Sequence, residues 1–123
     1  MKLVSCGQDC TARIWDWLEG KCEKIFKFSD PITDACFYPT LNLLFVGSFD
    51  HSVKAIDLVN GEVDRSWIAS RESIKCLMIH NDKLYVAGDE SVIREYDLVK
   101  EVVEEGKKKK KVEVDPNVIK GYR

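Results

Sequence analysis

Residues 5–16 read SCGQDCTARIWD, and the chain writes this pattern twice more. The second copy is VGSFDHSVKAID over residues 46–57, and the third is VAGDESVIREYD over residues 86–97. The aspartates that close the copies lie 41 and then 40 residues apart. A fixed period of this length predicts a repeat architecture. The aligned positions are the small pairs Cys6-Gly7, Gly47-Ser48 and Ala87-Gly88, the acids Asp9, Asp50 and Glu90, the bases Arg13, Lys54 and Arg94, and the bulky residues Trp15, Ile56 and Tyr96 before the final Asp16, Asp57 and Asp97.

The repeated run resembles the end of a WD repeat, and Trp15-Asp16 is the dipeptide that names that family. The resemblance extends over residues 3–100, and three copies in register make it more specific than one dipeptide. It implies an all-β fold in which each repeat is a four-stranded antiparallel blade of a β-propeller, innermost strand first. The residues themselves also indicate an all-β chain, because strand-length apolar runs recur between turn residues every 8–12 positions.

The blades implied by the resemblance are too few for a complete ring. Propellers typically have about 4–8 blades, so we expect an incomplete ring with one apolar sheet face exposed at each end. The chain is then either a fragment of a larger propeller or a short protein that completes its ring by self-association or with another chain. The expected divisions are a partial blade without its innermost strand (residues 1–30), a complete blade (31–69), a third blade (70–103) and a Lys-rich tail segment (104–123).

Two features of the blades are not settled by the sequence: the position of the third blade's outermost strand and the hydrogen-bond partners of the repeated acids. The outermost strand of the third blade has two candidate positions, near residues 101–103 or near residues 111–114. The Gly-His pair that often precedes the innermost strand in the family is absent, since Ser-Asp and Ser-Arg stand there at residues 29–30 and 70–71. Without that histidine, we expect the three repeated acids to bond to local backbone within their own turns.

The composition is that of a globular domain. The chain has 123 residues, of which 45% are hydrophobic and 33% charged, with a net charge of −2. Residues 101–123 hold seven Lys or Arg against five Asp or Glu, so they carry +2 and the remainder −4. Neither value indicates a nucleic-acid footprint over the body of the protein. No apolar run approaches 18 residues, and we expect no membrane span and no signal peptide before the first repeat.

The five cysteines form neither a disulfide framework nor a CxxC zinc pair. We expect them to be small buried or half-buried strand residues that stay reduced in the cytosol. Cys6 and Cys10 lie close in sequence, so a metal site there stays open, although no pair of histidines completes it.

The sequence predicts no enzyme. The only histidines, His51 and His80, fall at separate turn positions, which is not a nucleophile–base arrangement. The recurring glycines are explained by turns, and the repeated acids, one per blade, would be spread around the axis and not gathered at a metal. We therefore predict no catalytic residue, no cofactor and no metal.

A run of five lysines is the one low-complexity segment. It follows three glutamates at positions 101, 104 and 105. Such dense like charge favours a solvated, disordered loop. The alternative is a nuclear-import signal or a sequence-blind, salt-dependent contact with nucleic acid. The residues of this basic patch are Lys107, Lys108, Lys109, Lys110 and Lys111.

Function, if it follows the family, lies in the loops that lead into the innermost strands, where WD-repeat proteins most often hold a partner. Phe49 is a large aromatic residue in a tight turn, and it serves either as an interface anchor or as a residue covered by the neighbouring blade. We predict a cytoplasmic, non-catalytic protein-interaction scaffold; the alternative is a nuclear RNA- or chromatin-associated protein that uses its lysine run. The candidate partner-binding residues are Asp30, Thr33, Phe49, Arg71, Glu72 and Lys75.

Overall fold

A computed structural model describes residues 2–98, 100–104, 107–111 and 120–122. These residues contain β-strands joined by short connections, and a single 3-10 turn at Pro39–Leu41 is their one helical element. None of these residues belongs to a helix with the length and apolar character needed to cross a bilayer. The strands are β1 (Lys2–Cys6), β2 (Thr11–Asp16), β3 (Lys21–Lys27), β4 (Ile32–Tyr38), β5 (Leu43–Ser48), β6 (Ser52–Asp57), β7 (Glu62–Ile68), β8 (Ile74–His80), β9 (Lys83–Gly88), β10 (Ile93–Asp97), β11 (Lys100–Glu104), β12 (Lys107–Lys111) and β13 (Lys120–Tyr122).

The strands form three antiparallel sheets and a separate hairpin. The first sheet is β1-β2-β3, the second is β4-β5-β6-β7, and the third is β8-β9-β10-β13. Strands β11 and β12 pair only with each other in the described part of the chain. The predicted all-β fold of four-stranded blades is confirmed, and the described sheets do not close into a ring.

The fourth strand of the third sheet is Lys120–Tyr122, which pairs with β10 and places Tyr122 opposite Ile93. Both predicted positions for this strand, near residues 101–103 and near 111–114, are therefore wrong. Residues 100–104 pair instead with the lysine run, where the register sets Glu101 opposite Lys110 and Glu104 opposite Lys107. The lysine run is therefore strand β12, so the expectation of a disordered loop over it is wrong.

Several turn residues adopt left-handed backbone conformations, with positive φ. Asn81 and Asp82, between β8 and β9, have φ values of 50° and 58°, as a two-residue type I′ hairpin requires. Gly61, between β6 and β7, has φ 75°, and its N–H donates to the Asp57 carbonyl over 2.8 Å. The Asn-Gly pair at residues 60–61 therefore forms the predicted hairpin.

The inner part of the second sheet is buried on both faces, and strand β5 shows this directly. All six residues of β5 are buried. Leu44 and Val46 pack toward the first sheet, whereas Leu43 and Phe45 pack toward the third. Such a strand reads as a continuous apolar run, since it has no solvent face. The hydrophobic core therefore lies in two layers, one on each side of the second sheet.

The bulky residue before each closing aspartate has a different environment in each copy. Ile56 and Tyr96 are each 1% exposed, between sheets. Trp15 is only half-buried, and its indole N–H donates to the Ser5 hydroxyl over 2.9 Å. It pairs in register with Leu3, which is 56% exposed on the outer face of the first sheet. The signature tryptophan thus packs on a face that no other described sheet covers.

The third sheet also has an uncovered face, which carries exposed Met78 and Ile93. Together with Leu3 and Ile25 on the first sheet, these residues confirm the expected exposure of apolar side chains at both ends. Exposed apolar faces on a folded domain commonly mark a contact surface.

Two side-chain hydrogen bonds connect the second and third sheets. The Tyr38 hydroxyl donates to the Asp82 carboxylate over 2.6 Å, and the backbone N–H of Leu77 donates to the Asp34 carboxylate over 2.7 Å. Burial, followed by the hydrogen bond to Asp82, raises the pKa of Tyr38 to about 12. These bonds fix how the two sheets sit against each other, which the apolar contacts alone do not specify.

Candidate functional site

The loops that lead into the innermost strands share one edge of the sheets with the turns after β1, β5 and β9. Backbone hydrogen bonds connect them: the Phe49 N–H donates to the Pro31 carbonyl over 3.0 Å, and the Asp89 N–H to the Ser73 carbonyl over 3.1 Å. We call this the front edge, and it comprises residues 7–10, 28–33, 48–51, 69–75 and 89–92. The turns after β4, β6 and β8 lie at the opposite edge, because successive turns of an antiparallel meander alternate.

Both innermost strands carry an irregularity where they leave the front edge. The register of β4 against β5 shifts between Ile32 and Asp34, and that of β8 against β9 shifts between Ile74 and Cys76. The residues at the shifts are Thr33 and Lys75, two of the predicted partner-binding positions. Bulges commonly re-aim a side chain next to a functional site. The Lys75 side chain is exposed, whereas the Thr33 hydroxyl donates to the Gly47 carbonyl over 3.2 Å.

The first two repeated acids organise their own turns, as predicted. The Asp9 carboxylate accepts hydrogen bonds from the Thr11 N–H at 3.2 Å and the Thr11 hydroxyl at 2.8 Å. The Asp50 carboxylate accepts the equivalent pair from Ser52. The hydroxyl of Thr11 lowers the pKa of Asp9, while the Ser52 and Ser48 bonds hold that of Asp50 low against the opposing effect of burial. Both carboxylates are turn-stabilising groups.

Glu90 behaves differently, and the expectation of a bond within its own turn is wrong. Its carboxylate accepts a bond from the Ser70 hydroxyl at 3.1 Å and one from the Arg71 N–H at 3.5 Å. It also accepts three bonds from the Arg94 guanidinium, the shortest at 2.7 Å, and this guanidinium lowers the pKa of Glu90. Glutamate is one methylene longer than aspartate, so it reaches the loop before β8. The network spans the position where the family places its Gly-His pair.

Phe49, Lys75 and Asp89 form a cluster across the second and third sheets. The Lys75 ammonium lies 5.9 Å from the centroid of the Phe49 ring and 3.7 Å from the Asp89 carboxylate. Phe49 is 53% exposed, so the neighbouring sheet does not bury it. An ammonium at this distance over an aromatic face is held by the ring quadrupole. The result is an exposed aromatic surface with a cation and an anion beside it.

Of the six candidate partner-binding residues, the structure brings Phe49 and Lys75 into contact. Arg71 and Glu72 are exposed in the loop before β8, and Asp30 is half-buried beside the Ser29 hydroxyl at 3.4 Å. Asp89 was missed by the sequence reasoning. A signal was present, because Asp89 occupies the position in the third copy that Phe49 occupies in the second.

The histidines and cysteines do not form a cluster in the described part of the chain. His51 stands at the left-handed position of its turn with φ 74°, and His80 is the last residue of β8. Four cysteines are half-buried, but Cys76 is exposed, which corrects the expectation for that residue. Over the described ranges, no three His, Cys, Asp or Glu side chains stand close enough to hold a metal ion. For Lys107–Lys111 the structure gives the backbone register of β12.

Comparison with known proteins agrees with the geometry. The family model described as "WD domain, G-beta repeat" matches residues 1–16 and 20–57. Over 83 residues the chain is 32% identical to the target of rapamycin complex subunit LST8 of Mus musculus and to that of Bos taurus. Each alignment covers 66% of this chain and 26% of the relative. The chain thus spans about a quarter of the length of the curated relatives it matches.

Proposed function

Because the chain belongs to the WD-repeat family, we propose that it is a non-catalytic protein-interaction scaffold whose partner binds at the front edge. The two relatives are named as subunits of a complex, which supports other proteins as partners of this chain. The cytoplasm is the proposed location for this role.

The cluster of Phe49, Lys75 and Asp89 carries the proposal. Interface hot spots are typically aromatic residues set in a fixed position and surrounded by polar groups. Phe49 is exposed, and Lys75 contacts its ring while Asp89 pairs with Lys75. Because this arrangement exists without a partner, little side-chain entropy is lost when a partner covers it. Arg71 and Glu72 stand on the same edge and supply a polar rim.

Replacing Phe49 by alanine is expected to weaken partner binding about thirtyfold, because truncation of a hot-spot residue costs about 2 kcal/mol. Partners recovered by affinity capture with the intact chain are purified and titrated against each variant by interferometry. Val59→Ala is the matched control, since Val59 is 78% exposed and lies at the opposite edge. Equal affinities for Phe49→Ala and Val59→Ala would place the partner elsewhere.

The two uncovered sheet faces support a second kind of protein contact. We propose that further blades or a second copy of the chain pack on them, through Leu3 and Ile25 at one end and Met78 and Ile93 at the other. The four side chains are 56%, 49%, 57% and 44% exposed, respectively. Covering them removes apolar area from water, which favours association.

A second candidate function is sequence-independent contact with nucleic acid in the nucleus. Its support is the register of the β11–β12 hairpin, in which only Lys107 and Lys110 stand opposite a glutamate. Lys108, Lys109 and Lys111 stand opposite Val103, Val102 and Lys100. The hairpin therefore carries an excess of positive charge in a short extended segment, as phosphate-backbone binding requires.

Changing the five lysines of β12 to glutamine is expected to abolish the salt-dependent part of RNA binding, since the salt slope is set by how many phosphates the protein neutralises. Fluorescence anisotropy with a labelled RNA of about 20 nucleotides at low and high salt measures the slope for both chains. A control chain with five surface lysines outside β12 changed to glutamine has the same net charge. An intact chain that binds no RNA at low salt, or equal slopes for the two altered chains, would contradict this function.

A further inference from the structure

A cavity of about 400 Å³ lies between the first and second sheets at the edge opposite the front edge. Its floor is apolar and consists of Ile14, Phe37 and Leu58, all buried or half-buried. Tyr38 also borders the cavity, but its side chain packs in the core layer toward the third sheet, where its hydroxyl donates to Asp82 over 2.6 Å. The size falls within the range of about 300–1,000 Å³ that is typical of ligand sites.

The rim of the cavity has an unbalanced positive charge. The Lys2 ammonium and the Glu23 carboxylate pair with each other, so their charges cancel. The Lys24 ammonium donates to the Leu58 carbonyl over 2.7 Å, which is a neutral acceptor. Within the described ranges, Lys24 makes no ion pair. A carboxylate at the rim would therefore meet a cation that is already held in position.

Asn42 adds a side-chain carboxamide that is suited to hydrogen bonding with a peptide backbone. Its backbone is engaged, because its N–H donates to the Pro39 carbonyl and its carbonyl accepts from the Leu58 N–H at 3.0 Å. Its side chain is exposed at the rim, with backbone φ 51° that asparagine tolerates. A carboxamide presents one acceptor and a pair of donors, which match the N–H and C=O of a peptide group.

We infer that this cavity is a second peptide-binding site, which takes an apolar side chain of a partner whose neighbouring residue is acidic. The apolar side chain fills the floor, the carboxylate pairs with Lys24, and the Asn42 amide bonds to the peptide backbone. This site goes beyond the proposed function, since it lies at the other edge and uses none of Phe49, Lys75 and Asp89. A partner that occupied both sites would contact both edges of the second sheet, which contributes Phe49 to the front-edge cluster and Asn42 and Leu58 to the cavity.

The test uses the full chain labelled with ¹⁵N and the acetylated, amidated peptide Gly-Phe-Glu-Gly as probe. Saturable shifts of the Lys24, Asn42 and Leu58 amides are expected. Lys24→Gln is expected to raise the Kd about fivefold, as for one rim ion pair, and Lys24→Arg to restore binding. Changing the peptide's Glu to Gln should raise the Kd for the intact chain by the same factor of about five. The same peptide change should leave the Kd for the Lys24→Gln chain unaltered, because the ion pair is already absent there.

Lys27→Gln is the matched control, because Lys27 is exposed at the far end of the same strand β3 and the charge change is identical. Phe49→Ala should leave peptide binding unchanged, so failure at this site is distinguishable from failure at the front edge. Spectra of each variant report whether it remains folded. No saturable shift with the intact chain, or equal losses for Lys24→Gln and Lys27→Gln, would overturn the inference.

Discussion

Replacing Gly88 by alanine is expected to destabilise the fold by about 3 kcal/mol, because the added methyl group has no room. A Cβ at this position would stand 2.1 Å from the Ser73 carbonyl oxygen and 3.0 Å from the Ile74 Cα. These are backbone atoms of Ser73, in the loop before β8, and of Ile74, the first residue of β8, so they cannot move without disturbing the bulge at Lys75. Urea unfolding followed by tryptophan fluorescence measures the loss.

Gly7→Ala is the matched control, since Gly7 occupies the same repeat position in the first sheet. Its added Cβ would meet only the Asp9 carboxylate oxygen at 3.8 Å, which is ordinary contact. We expect a change below about 1 kcal/mol, with the smaller entropy of the unfolded chain offsetting any strain. A Gly88→Ala chain as stable as Gly7→Ala would show that the Ser73 loop does not approach β9 so closely.

Asp34→Ala is expected to cost about 2 kcal/mol, because it removes a charge-assisted hydrogen bond between two sheets. The Asp34 carboxylate accepts the Leu77 N–H over 2.7 Å and also the Ala35 N–H over 2.9 Å. Without it, the N–H of Leu77, a buried residue, has no acceptor, and burying an unpaired N–H is costly. Thermal and urea unfolding of the variant measure the effect.

Asp34→Asn keeps an acceptor oxygen, so it should lose less than half as much as Asp34→Ala. Asp64→Ala serves as the control for removing an aspartate from an exposed strand, since Asp64 lies exposed in β7 and is expected to change stability by less than about 0.5 kcal/mol. Hydrogen exchange at Leu77 separates a local effect from a global one. Slow exchange at Leu77 in the Asp34→Ala chain would contradict the role assigned to the carboxylate.

Much of the fold was accessible from the sequence, because its signals are local. Strands β1 to β10 follow from alternating or continuous apolar runs, and their turns contain residues that adopt left-handed backbone, such as Asn81 and Gly61. The outermost strand of the third sheet was not predictable, since β11 and β13 are both short extended segments. Which of them pairs with β10 depends on competition between partners distant in sequence, and β11 pairs with the lysine run instead.

In the candidate site, too, the sequence identified individual residues but not the contacts between them. Phe49 and Lys75 were each singled out as unusual residues in loops, yet they are 26 positions apart and nothing local indicates that they touch. Their contact depends on how the second and third sheets pack, and it lies beside the register shift between Ile74 and Cys76. The cavity at the opposite edge left no sequence signal, because its floor combines residues of β2, β4 and the turn after β6.

By itself, the sequence determined the repeat, the strands within it and the edge at which the loops collect, because turn chemistry and period-two patterning act within a few residues. Only the tertiary structure decided what each copy of the repeat does. Ser48 and Gly88 hold one aligned position, yet a side chain fits at the first and clashes with the Ser73 backbone at the second. Trp15 stands on an uncovered face while Tyr96 is buried against Trp67. The physical reason is that residues at aligned positions of the repeat face different neighbouring sheets. The packing of those sheets determines how close the neighbouring atoms are to each residue.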